Sequence, residues 1–224
     1  MLETSRIICR TIDDILHART DVVNGRNRHL TVILLIVICA FGAFFGAAVG
    51  SFGGARPLQM SFSAVKFPML LLLSFGLTIP SFYVFNALLG THNDFRASMR
   101  AIMATQTSMT IFLAALAPLT VVWYVSGSSY TSARIFNMII FACCALYGWI
   151  MMGRFYRPLV ASNPMHSRLI KIWIFQFIFV AIQLSWVLRP FIGKTSRPTN
   201  FIREEAWGNA YLEIGLVVLR SLTG

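Results

Sequence analysis

The sequence predicts an all-α integral membrane protein: a bundle of five transmembrane helices, with an amphipathic interfacial helix at each end of the chain. Three observations carry this expectation. First, 57% of the 224 residues are apolar and only 12% are charged, with a mean hydropathy of +0.70; a water-soluble domain draws about a quarter of its residues from Asp, Glu, Lys and Arg. Second, five uncharged stretches approach or exceed the roughly 20 helical residues that cross a hydrocarbon core of about 30 Å. Third, the basic residues gather at the ends of those stretches. No basic domain or aromatic-interleaved patch exists, so the net charge of +11 reads as membrane topology and nucleic acid is not an expected partner.

In chain order, residues 1–28 give a cytoplasmic amphipathic helix and a linker. Ile8, Ile12, Ile15 and Leu16 recur at helical spacing, while Arg6, Arg10, Asp13, Asp14 and Arg19 fall mostly elsewhere around the wheel. Such a helix lies along the inner headgroup layer, where arginine meets anionic lipid, or docks on a partner or on the bundle's own loops. Asn24-Gly25 ends it. The bundle occupies 29–189, with spans at about 30–50, 67–89, 102–125, 135–153 and 172–188. Lipid offers backbone N–H and C=O groups no partner, so each span must be helical. The fifth is short, and Lys171 and Arg189 at its ends snorkel into the headgroups. Arg189-Pro190 stops it, because proline lacks the amide donor and disfavours helix in the residue before it. Residues 190–224 then follow the outer surface to a short interfacial helix with Trp207, Ala210, Tyr211, Ile214 and Val218 on one face. A sixth, partly inserted segment is the other reading of that tail.

Orientation follows from the loops. The N-terminal segment, the second-to-third loop and the fourth-to-fifth loop carry eleven Lys and Arg, against three in the opposing loops, which puts the N-terminus in the cytoplasm and, after five crossings, the C-terminus outside. The tail narrows this contrast to eleven against eight. No cleavable signal is expected, since the first apolar run begins only at Leu30 and is too long for a signal core. Cys39, Cys143 and Cys144 fall within spans and Cys9 on the cytoplasmic side, so no disulfide is expected.

Chemistry-bearing residues are sparse. Gly42, Gly46 and Gly50 repeat every fourth residue, continued by Gly54; such spacing makes a groove on one helix face where another backbone can approach, within the bundle or between two copies. The third span opens with Thr105, Gln106, Thr107, Ser108 and Thr110. Those groups line a wet path in a transporter, or in a structural bundle bond to neighbouring helices and to their own carbonyls. Gln176 and Gln183 share one face of the fifth span, and with Asn86 and Asn137 they are expected partners for the patch. No span interior contains Asp, Glu, Lys, Arg or His, which removes most support for proton coupling or voltage sensing. Neither metal-binding His spacing nor a nucleophile or phosphate-loop motif occurs; His92-Asn93-Asp94 reads as a polar turn, and Glu204-Glu205 as ion-pair partners of nearby arginine. No catalytic residue, metal site or cofactor is expected.

The segments Lys66-Phe67-Pro68, Tyr83-Val84-Phe85-Asn86-Ala87-Leu88-Leu89-Gly90 and Trp186-Val187-Leu188-Arg189-Pro190-Phe191-Ile192-Gly193, followed by Pro198, Phe201, Arg203, Asn209 and Tyr211, resemble an uncharacterised family of bacterial multi-pass inner-membrane proteins. The similarity runs from about Ser61 onward, and Leu-Arg-Pro-Phe-Ile-Gly is its most specific part. The five-span architecture is also similar, coarsely, to Yip1-type proteins. The resemblance implies a bacterial cytoplasmic membrane and a tail that matters, with no activity attached. The expectation is therefore a non-enzymatic scaffold or accessory subunit whose partners are membrane lipid and another protein or a second copy. Arg189, Pro190, Phe191, Gly193, Trp207 and Tyr211 form its outer-face docking tail. The alternative is a small transporter or channel lined by Thr105, Gln106, Ser108, Gln176 and Gln183.

Overall fold

The computed structural model describes residues 2–19, 29–54, 56–127, 129–193 and 199–202. Trp207, Tyr211 and the expected C-terminal helix lie outside the described residues. Among the described residues the chain is all-helical: α1 (Leu2–Leu16), α2 (Leu30–Gly50), α3 (Pro57–Leu88), a 3-10 turn (His92–Asp94), α4 (Phe95–Val125), α5 (Tyr130–Ser162) and α6 (Met165–Val187). Five of these, α2 to α6, are long and apolar enough to cross a membrane. The chain is a multi-pass membrane protein.

α2 begins and ends with its apolar run; the other four helices outrun theirs. α3 starts ten residues before Phe67, α4 seven before Ile102, and α5 continues nine beyond Gly153. An apolar window marks lipid contact, but a helix ends only where its backbone is stopped. Pro57, at the first helical position, needs no amide partner there and starts α3 early. Gly90 and Gly127, both at positive φ, turn the chain after α3 and α4. The Ser129 hydroxyl accepts from the Ser132 amide at 3.1 Å and caps α5. At 1.5 Å per residue, α2 rises about 31 Å and α5 about 50 Å, so the longer helices project or tilt.

α2 is the hub. It packs most extensively against α3 on one side and α4 on the other; α6 lies against α3, α5 lies against α4, and α3 barely touches α4. α5 and α6 also make few contacts with each other. They meet near their connecting turn, where Met151, Phe155 and Leu159 of α5 share a core with Leu169, Ile170 and Trp173 of α6. That end, the α1 end, also holds the His92–Asp94 turn and the close of α1. The opposite tail end carries residues 51–54 and 126–127, which turn the chain after α2 and α4, and the segment that follows α6.

The N-terminal helix packs on its own bundle, against the helices rather than the loops. Ile15 is fully buried in the core with Leu30 and Leu34, and Ile8 and Ile12 pack against Ile33, Val37 and Ile111. Arg6, Arg10 and Asp13 stay exposed. The helix sets Ile8, Ile12 and Ile15 of its apolar stripe against α2 and α4, while Ile7 and Leu16 stay exposed.

Candidate functional site

The spacing of Gly42, Gly46 and Gly50 brings α2 against α3 of the same chain. A Cβ on Gly46 would stand 2.9 Å from the Ser63 carbonyl carbon, and one on Gly50 would stand 2.8 Å from Met60 Cα. Gly42 is looser, with Pro68 Cα at 3.6 Å. Backbone meets backbone at two of the three positions, the close approach that dispersion packing favours between helices in lipid. Gly54 lies past the contact, in open space.

Thr105, Gln106, Thr107, Ser108 and Thr110 are all buried. Four of them return a hydroxyl to the carbonyl four residues back: Thr105 to Ala101 at 3.0 Å, Thr107 to Met103 at 2.9 Å, Ser108 to Ala104 at 2.9 Å and Thr110 to Gln106 at 2.7 Å. The patch is satisfied within its own helix. Gln106 differs, since neither its Nε2 nor its Oε1 has a partner among the described residues. The expected cross-helix bonds from the asparagines and Gln176 are not those the structure makes. Asn86 donates to Phe82 O at 2.9 Å and accepts from the Thr91 hydroxyl at 3.1 Å; Asn137 donates to Ala133 O at 2.7 Å and to the Tyr124 hydroxyl. Gln176 donates to the Ser81 hydroxyl of α3. For Gln176 the reason is topological: α6 lies against α3 and away from α4. Gln183 sits half-buried two turns farther along α6.

The segment after α6 is strapped onto the first third of α3. Pro190 O accepts from the Lys66 ammonium at 3.0 Å, and Phe191 O accepts from the Ser63 hydroxyl at 2.7 Å and from Gln59 Nε2 at 3.1 Å. Arg56 Nη2 donates to the Thr199 hydroxyl at 2.7 Å. Phe201 packs edge-on against Phe62, and the Lys66 ammonium lies 5.0 Å from the Phe201 ring centre. Gly193 is buried against Gln59, where a Cβ would come within 2.8 Å of the amide carbon. Arg189 lies over the Trp186 ring at 3.2 Å and donates to Trp186 O. Thus Arg189, Pro190, Phe191 and Gly193 fall together at the tail end, as one ordered piece.

Lys66 was missed as a functional residue. It immediately precedes the second apolar run, where it counts as a loop charge, yet it is fully buried inside α3. Its carbonyl partner lies 124 residues away, and no local pattern announces it. Also missed is the pairing of Asp94 with His166, whose Nε2 stands 3.1 Å from the carboxylate across 72 residues. His92-Asn93-Asp94 forms a turn, as its sequence reads, and the long-range pair fastens the start of α4 to the start of α6.

Beside the strap, α5 and α6 part to leave a cavity of about 770 Å³. Phe141 and Ala145 of α5, Phe177 and Ile178 of α6, and Phe67 and Leu70 of α3 line its interior; Tyr130, Arg134, Asn137, Ser185 and Arg189 stand at its tail end. None of Thr105, Gln106, Ser108, Gln176 and Gln183 lines it. What the arrangement can do chemically is hold an amphiphile: apolar walls in the membrane, hydrogen-bonding and cationic groups at one end.

No protein-family model, curated protein or solved structure matches the chain.

Proposed function

We propose that the protein is a non-enzymatic scaffold or accessory subunit of a membrane complex, set in a bacterial cytoplasmic membrane with its N-terminus inside and its tail on the outer face. The observation that carries this reading is the strap. Arg56 and three side chains of α3, Gln59, Ser63 and Lys66, fasten Pro190, Phe191 and Thr199 to the bundle, and a segment held in one conformation binds a partner without first losing its own freedom. Membership of the uncharacterised inner-membrane family belongs to the same proposal and rests on Leu188 to Gly193. The partners are membrane lipid and a protein, which includes a second copy; nucleic acid is not among them. Support over the transporter alternative comes from the third span, whose hydroxyls bond to their own backbone and stand outside the cavity.

Gentle-detergent purification followed by identification of co-purifying proteins tests the reading. A stoichiometric partner, or a stable dimer, that is lost on Arg189→Ala or Trp207→Ala while the bundle still melts cooperatively is the expected result. A lone monomer carrying only lipid overturns it, as does solute flux by the purified chain in liposomes.

A further inference from the structure

The cavity between α5 and α6 has a polarity order along the membrane normal. From Tyr130 to Ala145 the α5 backbone rises about 22 Å, and over that length the lining passes from Tyr130, Arg134 and Asn137 to Met138, Phe141 and Ala145. α6 mirrors it, from Arg189 and Ser185 down to Ile178 and Phe177. The walls are open to the bilayer: Met138, Phe141, Ile178 and Ile182 are all exposed. Two arginines line the polar end, and among the described residues no acidic one lines any part of it. Arg134 is exposed with its guanidinium 5.8 Å from the Tyr130 ring centre, while Arg189 is stacked on Trp186. Asn137 is 97% buried, and its Oδ1 has no partner among the described residues. An unpaired acceptor in an apolar wall costs about 1–3 kcal/mol, unless something donates to it.

We propose that this crevice is a binding site for one membrane lipid with an anionic, hydroxyl-bearing headgroup. Its acyl chains lie between α5 and α6 against Phe141, Phe177 and Leu70. Its phosphate meets Arg134 at the tail end, with Arg189 lining the same mouth. Asn137, one turn deeper than Arg134 on α5, accepts from the headgroup or glycerol hydroxyl. A free anion would satisfy the arginine but leave the apolar length uncovered, and an uncharged hydrocarbon would do the reverse; only an amphiphile matches both ends. The lipid fills the space that lets α6 stand away from α5, so it acts as a packing element of the bundle. This site exists whether or not a protein partner binds the strap.

The test is native mass spectrometry of the full chain, released from a neutral detergent after incubation with dioleoyl phosphatidylglycerol or dioleoyl phosphatidylcholine. One lipid per chain is expected, with phosphatidylglycerol favoured. Arg134→Gln, a surface substitution, should reduce that preference about fivefold, the equivalent of about 1 kcal/mol for one basic residue at an anionic leaflet. Ala145→Trp, which fills the deep end, should lower retention of both lipids. Arg154→Gln, on the same helix but outside the crevice, should change neither. Thermal unfolding of each variant separates loss of the site from loss of the fold. Equal retention of the two lipids, a preference that survives both crevice substitutions, or an equal loss in Arg154→Gln would overturn the proposal. So would a dimer that excludes lipid from the crevice.

Discussion

Gly46 and Gln106 show how differently two residues of the same bundle yield to sequence reasoning. A glycine repeat every fourth residue marks a helix face by geometry alone, and the contact of Gly46 with Ser63 sits on that face. What the repeat does not encode is the neighbour, because spacing describes one helix and a contact needs two. Gly46→Ala should destabilise the chain by about 1–3 kcal/mol, since the clash is with backbone that cannot rotate away. Gly42→Ala, with ordinary contact distances at Pro68, should be close to neutral. Thermal melts of the two variants in one detergent check the contrast. For the polar patch, the sequence marks its position on α4 and leaves its partners open, because a Ser or Thr hydroxyl always has the carbonyl of the preceding turn in reach. Gln106, with its amide buried and unpaired, is the exception. Gln106→Leu should raise the melting temperature, as the relief of one unpaired buried amide is worth about 1–3 kcal/mol; a lower melting point would show that the amide has a partner in the membrane.

At the scale of the element, α3 carries most of what distinguishes the protein. One face receives the glycines of α2, another receives α6, and its first three turns hold the strap. Its apolar run, which begins at Phe67, reveals the span and hides the strap, because the strap residues Arg56, Gln59, Ser63 and Lys66 read as an ordinary polar approach to the membrane. Lys66→Met keeps the length of the side chain and removes the charge-assisted bond to Pro190 O. The loss of such a bond costs about 1.5–3 kcal/mol, and it should surface locally: faster hydrogen exchange and protease cleavage over residues 189–202, with α2 to α5 unchanged. Protection equal to the wild type across that segment would mean that Arg56, Gln59 and Ser63 hold it without Lys66. α1 is the converse case. Its amphipathic stripe is plain in the sequence, but a stripe says only that something apolar must cover it, and here the cover is α2 and α4.

For the whole molecule, the number of spans was legible because each is a self-contained run of apolar residues, whereas their arrangement was not. Central placement of α2, the separation of α6 from α4 and the opening between α5 and α6 arise from packing choices spread over five helices. The positive-inside pattern makes a further prediction at this scale. Reporter fusions ending at residues 92 and 163 should report the side of the N-terminus, and those ending at 54, 127 and 193 the opposite side. Any helix that fails to alternate breaks the five-span topology. The turn between α2 and α3 is only six residues, 51–56, so the two helices emerge from the ribosome already leashed to within about 20 Å of each other. Their tightest seam needs nothing made later. The nascent chain can therefore close its first hairpin while the rest is still being translated, and every helix that follows is added to a finished template.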